Sequence, residues 1–249
     1  MKKLLMPLIA AGAMLLAAGC GGSDDASSGS SPTTPVTLTQ ADFAPKVQEA
    51  LKAKGTFRVV TVTTDEGAPA TFTTDVKLSG ATADVAGSGE GNSVVRVGGQ
   101  LYGKGGAISD DPKKPWAKYD PTVVQDPMAA LSGVMIRMLL VQTMTYELIG
   151  GASYATNFTS APGATAGTTE YLMTIDLPKA SAAKALGEYL TAETVAQQKL
   201  TGLTAKVTID KDNLPIRLDF EQGTAKVIAD FSNFGTPVTI AAPPAAEIA

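Results

Sequence analysis

The sequence predicts an α+β domain: one long, curved antiparallel sheet with a few helices packed on its apolar side. Three observations carry this. Segments at 70–78, 203–210, 214–221 and 225–231 alternate apolar with polar residues, the period of strands that bury one face and wet the other. Eight to eleven such strands can be counted, against three or four helices grouped into two insertions. The apolar stretch after Pro127 needs a surface to cover, which favours one sheet over the rival two-sheet sandwich.

The chain opens on an export signal. Lys2 and Lys3 precede an apolar run from 4 to 16, and Leu16-Ala17-Ala18-Gly19-Cys20 follows. Ala17-Ala18-Gly19 before Cys20 resemble the bacterial lipobox, which implies cleavage after residue 19 and a diacylated Cys20 as mature N-terminus. An ordinary cleaved signal or a short membrane anchor are the competing readings. The run is shorter than the roughly 20 residues that cross a bilayer. Cys20 is also the only cysteine, so it has no internal disulfide partner. Two acyl chains hold a protein at a membrane stably where one does not. Residues 1–19 are therefore expected as signal peptide, 20–37 as a flexible Gly/Ser/Pro tether, and 38–249 as the domain. The mature protein is expected outside the cytoplasm, anchored to the outer face of the cell membrane.

Composition removes several kinds of chemistry. Two of the 20 basic residues lie in the signal, leaving 18 against 24 acidic ones, a net charge of −6 that disfavours nucleic acid as partner. With no histidine, a Ser-His-Asp triad and the usual zinc sites are excluded. A single cysteine excludes CxxC redox chemistry. No catalytic residue, metal ligand or cofactor is assigned.

In chain order, a helix is expected over 42–54 from the spacing of Phe43, Val47, Ala50 and Leu51, with Gly55 as its stop. Asp42 as N-cap competes with a capping box from Thr39 to Asp42. Strands are expected at 56–64, 70–78, 81–86, 93–97 and 100–104. Gly98-Gly99 forms a tight turn, and Gly87-Ser88-Gly89-Glu90-Gly91 reads as a hairpin rather than a phosphate loop, since no helix, lysine or hydroxyl follows in place. Asp110-Asp111 before Pro112 reads as a solvated turn. A helix over 127–149 is apolar nearly all round, with Arg137 and Glu147 its only charges. Such a helix packs in a core, lies in a membrane or faces an apolar ligand. Arg137 argues against spanning, while Met135, Met138 and Met144 suit a surface that adapts to irregular apolar partners. Strands at 153–158 and 168–177 follow, then amphipathic helices over 182–190 and 192–200. Asp210-Lys211-Asp212-Asn213 reads as a hairpin turn rather than a calcium loop, because the later glycine and glutamate are missing.

The order of these elements is familiar. Val94-Val95-Arg96-Val97-Gly98-Gly99-Gln100-Leu101-Tyr102, Lys114-Pro115-Trp116-Ala117-Lys118, the helix after Asp126-Pro127, Thr174-Ile175-Asp176-Leu177, and Val207-Thr208-Ile209-Asp210-Lys211-Asp212 ahead of Leu214-Pro215-Ile216-Arg217 together resemble the LppX/LprG family of actinobacterial lipoproteins. That family is similar in fold to the carriers LolA and LolB. The resemblance implies a strongly curved half-barrel sheet with helices on its concave apolar face, and an apolar cavity that binds acylated lipids or lipoglycans and carries them toward the outer envelope. It also implies an envelope lipid exporter as a candidate partner. Leu131, Met135, Met138 and Leu139 of the apolar helix, with Met173, Ile175, Leu218 and Phe220 of the sheet, are the expected cavity lining. The alternative is an envelope scaffold or accessory subunit with a filled core. An enzyme would need carboxylates such as Asp75, Asp219 or Glu221 to converge in a cleft.

Overall fold

Alternating side chains sort the chain into eleven strands of a single sheet. The computed structural model describes residues 37–79, 82–106, 108–120 and 127–249. The expected signal peptide, Cys20 and the tether up to residue 36 lie outside them. The strands are β1 (Thr56–Thr64), β2 (Ala70–Lys77), β3 (Asp84–Gly89), β4 (Asn92–Val97), β5 (Gln100–Lys104), β6 (Trp116–Lys118), β7 (Ala155–Pro162), β8 (Thr169–Asp176), β9 (Gly202–Ile209), β10 (Pro215–Gln222) and β11 (Ala225–Ser232). Their spatial order is β6-β5-β4-β3-β2-β1-β11-β10-β9-β8-β7, and each neighbouring pair is antiparallel. The sheet is not closed into a barrel. Two meanders are thus joined side by side through the single long-range pair of β1 with β11.

Four α-helices are described: α1 (Gln40–Lys54), α2 (Pro127–Thr143), α3 (Leu177–Ala182) and α4 (Ala192–Gln197). Thr39 caps α1: its hydroxyl accepts from the Asp42 amide and donates to the Asp42 carboxylate at 2.6 Å. That settles the start in favour of Thr39 and leaves Pro45 inside the helix. Gly55 closes the helix in the left-handed conformation. The hairpin turns at Glu90-Gly91, Gly98-Gly99 and 210–213 form as expected, the last organised by the Asp210 carboxylate, which accepts from the Asp212 and Leu214 amides.

Two helices and two strands differ from expectation. The helix expected over 127–149 stops at Thr143 and continues as a 3₁₀ segment, Thr145–Tyr154. The Thr143 hydroxyl bonds the Leu140 carbonyl at 2.6 Å, and two threonines followed by Gly150-Gly151 are weak helix formers. The helix expected over 182–190 is short: α3 starts earlier, on an Asp176 cap, and ends at Ala182. Lys184 and Gly187 then take positive φ, and the chain runs as turns. Strand β3 is shifted toward Gly89, and β7 starts after the 3₁₀ segment ends.

The core lies on the inner face of the sheet. Phe43, Phe158 and Tyr171 stack on one another with ring centroids 4.7 to 5.6 Å apart, and Tyr171 Oη accepts the Leu38 amide, tying the start of the domain to β8. Leu148, Ile149 and Ala152 of the 3₁₀ segment and Leu177 and Leu186 are buried in the same cluster. On the other half, α2 approaches β3 and β5 closely because glycine stands beneath it. A Cβ at Gly87 would meet Thr143 of α2 at 2.6 Å, and one at Gly103 would meet Ile136 of α2 at 2.5 Å.

Candidate functional site

The two halves of the sheet are filled differently, and the difference leaves a cavity. At the end of β1, β2, β3 and β11 that carries the turns, the inner face ends in Thr61, Thr63, Phe72, Gly89 and Val227. Leu139, Val141 and Tyr189 stand opposite, and Glu90, Asn92 and Gln142 complete the boundary. The space, partly open to solvent, is about 520 Å³, within the range of small-molecule sites. The side chains of Phe72, Leu139, Val141, Tyr189 and Val227 make its wall largely apolar. Next to it the hydroxyls of Thr61 and Thr145 are buried without a hydrogen-bond partner.

Tyr189 divides this cavity from a smaller hollow. The hollow measures about 70 Å³ and is lined by Leu177, Leu190, Leu203 and Phe220 as well as Tyr189. Tyr189 meets Phe220 edge-on, with centroids 6.2 Å apart. The tyrosine is placed by its backbone. Glu147 Oε2 accepts from the Glu188 amide at 2.7 Å and the Tyr189 amide at 3.0 Å. Arg96, whose side chain is 7% exposed, donates to Glu188 at 2.9 Å and to the Ala83 carbonyl. Burial pushes the Glu147 carboxyl up to about 7 despite those two amides and Arg96, and burial likewise raises Tyr146 and Tyr189. Glu147 also borders a second space of about 400 Å³ between α1 and the 183–187 turns, with Leu51, Lys52, Leu78, Tyr146 and Lys184.

The eight expected lining residues are not brought together. Leu139 lines the cavity under α2 and Phe220 the hollow behind Tyr189. Met173, Ile175 and Leu218 do face inward, yet they are closed over at 0 to 1% exposure because α1, α3 and the 3₁₀ segment fill that half. Met135 is half-buried against the core. Leu131 and Met138 point outward, 50% and 56% exposed, on the face of α2 away from the sheet. Phe72, Val141, Tyr189 and Val227 were not expected as lining. Phe72 and Val227 carried the right alternation; Tyr189 was masked by a helical pattern that does not form.

The carboxylates considered for catalysis sit on the outer face. Asp75 pairs with Arg58 at 2.8 Å, and Asp219 with Arg217 at 3.0 Å and Lys206 at 3.7 Å. Asp111 accepts the Lys113 amide in an exposed turn. Among the described residues, no three acidic, histidine or cysteine side chains are grouped to hold a metal, and no helix is long and apolar enough to cross a membrane.

No protein-family model matches the sequence, and neither does any curated protein. Solved structures do. LprF from Mycobacterium bovis superposes with a TM-score of 0.50 at 16% identity, covering 82% of this chain and 96% of that one. The lipoprotein LppX of Mycobacterium tuberculosis gives 0.48 at 16% identity, covering 81% and 98%. A LolA superfamily protein from Nitrosomonas europaea gives 0.28 at 8% identity, covering 76% and 92%. The resemblance to the LppX/LprG lipoproteins therefore holds at the level of the fold: the open eleven-stranded sheet with few helices is that of LprF.

Proposed function

We propose that this chain is an extracytoplasmic lipoprotein that takes an acylated lipid into the cavity between α2 and the sheet and carries it toward the outer envelope. The observation that carries the reading is the apolar space of about 520 Å³ under Leu139, Val141 and Tyr189. Moving an acyl chain from a bilayer into such a space exchanges one hydrocarbon surrounding for another, so the cost of about 0.8 kcal/mol per methylene exposed to water largely cancels. Transfer of this kind needs shape and apolar walls rather than nucleophiles or metals. Lipidated Cys20 would hold the protein at the outer face of the cell membrane, and the residues up to 37 would let the domain reach its donor. An envelope lipid exporter fits as the source of cargo.

Native mass spectrometry of the protein purified from an actinobacterial host tests this directly. A stoichiometric acylated ligand is expected. Thr63, half-buried on the cavity wall, offers a filling substitution that leaves the core alone. Thr63→Phe should lower ligand occupancy at least fivefold with the unfolding midpoint unchanged. A bare mass for the wild type, or full occupancy in the filled variant, overturns the reading and moves it to a scaffold with no lipid cavity.

A further inference from the structure

We infer that the outward face of α2 is a docking surface for an anionic lipid bilayer. Leu131, Val134 and Met138 are 50 to 56% exposed, and their spacing of three and four residues puts them on one stripe of the helix. They are three of the four large apolar side chains that the described residues expose most; the fourth, Leu172, lies on the outer face of β8. The inward side of the same helix is satisfied, with Ile136, Leu139 and Leu140 buried. So α2 is apolar on two sides, and among the described residues only one of them is packed against protein.

Charge and position say what covers the other. Arg137 is exposed beside the stripe, and α2 contains no carboxylate, in a chain whose overall charge is −4. An uncovered apolar stripe flanked by Arg137 and by no acid of its own helix offers apolar contact to acyl chains and one cation to anionic headgroups. The helix is also the wall of the cavity through Leu139, Val141 and Gln142. A bilayer against the stripe would therefore lie one helix away from the space that receives the lipid. The inference rests on the tether reading in one respect: 17 peptide steps separate Cys20 from Thr37, which reach at most about 60 Å, enough to let the domain lie down on the membrane that anchors it.

The test uses the full acylated chain in vesicles of phosphatidylcholine and phosphatidylglycerol in equal parts. Since the thiol of Cys20 is consumed by acylation, Val134→Cys supplies a single site for an environment-sensitive dye, and Leu172→Cys supplies the control. The dye at position 134 should shift to the blue and be quenched by lipids brominated in their acyl chains, while the dye at position 172 should do neither. Arg137→Glu should weaken the response at least fivefold and make it insensitive to the phosphatidylglycerol content. Equal, water-like signals at both positions overturn the proposal. So does a blue shift at 134 that appears without vesicles and grows with protein concentration, which would identify a second copy as the occupant. Should the chain fail to stay on vesicles after washing, the anchor reading fails separately. Titration of the two labelled proteins with the same vesicles then still decides the docking face.

Discussion

Glu147 is held where a carboxylate is poorly solvated, and that placement makes stability depend on pH. It lies in the 3₁₀ segment, beside Tyr146 of the same segment, and faces Arg96 from β4 and Glu188 from the turns after α3. In the unfolded chain its carboxyl titrates near 4.5; in the fold it is pushed up to about 7. The folded protein thus binds more protons than the unfolded one between those values, so this group favours folding most at low pH and loses that contribution as pH rises to 7. The loss is about 2 to 3 kcal/mol. With no histidine in the chain, no imidazole titrates in that window. Glu147→Gln keeps an acceptor for the Glu188 and Tyr189 amides and removes the charge. Urea unfolding from pH 5 to 8 should therefore show a falling stability for the wild type and a nearly flat one for the variant. Parallel curves for the two proteins would contradict the assignment.

At the scale of single elements, what could be read from the sequence depended on how far away the deciding partner lay. The strands were legible because their alternation is local: Leu203, Ala205, Val207 and Ile209 face inward from β9 just as their spacing requires. The loop 183–190 was not. Its Ala-Leu-Tyr spacing mimics a helix, but two of its amides are taken by a carboxylate 41 and 42 residues earlier in the chain. The cavity lining failed for a related reason. Alternation says that Met173, Ile175 and Leu218 face inward, and says nothing about which half of the inner face the helices fill. Packing of α2 shows the same dependence on a distant residue. Gly103 in β5 sits beneath Ile136, and Gly103→Ala would place a methyl 2.5 Å from Ile136 Cγ1. Overpacking of this kind costs about 1 to 3 kcal/mol. In a double-mutant cycle, Ile136→Ala removes the atom that is struck, so the pair should be less destabilised than the sum of the single variants by roughly 0.5 kcal/mol or more, the coupling expected of contacting residues. Additive effects would mean that α2 shifts freely and that its closeness to the sheet is not set by glycine.

Across the whole molecule, one sheet supports two unlike halves. Strands β8, β9 and β10 are covered by α1, α3 and the 3₁₀ segment, and their inward side chains, from Tyr171 to Leu218, are closed over. Strands β2, β3 and β4 present Phe72, Gly87, Gly89 and Val94 to α2 and to the cavity. The cavity leaves space unfilled on that side, and less complete packing means a lower free energy of local opening. Amide exchange of the unliganded protein should accordingly be slowest in β8–β10 and faster in β3, β4 and α2. A ligand that occupies the cavity stabilises only the conformations that hold it, so adding a stoichiometric acylated lipid should slow exchange in β1, β2, β11 and the second half of α2 while leaving β8 and β9 as they were. This pattern distinguishes the cavity from the space beside Glu147 and from the hollow behind Tyr189. Protection gained instead around Gln48, Lys52 and Lys184 would place the lipid between α1 and the 183–187 turns, and uniform protection over all strands would mean that the sheet opens as one unit and that its two halves do not divide the work of folding and of carrying.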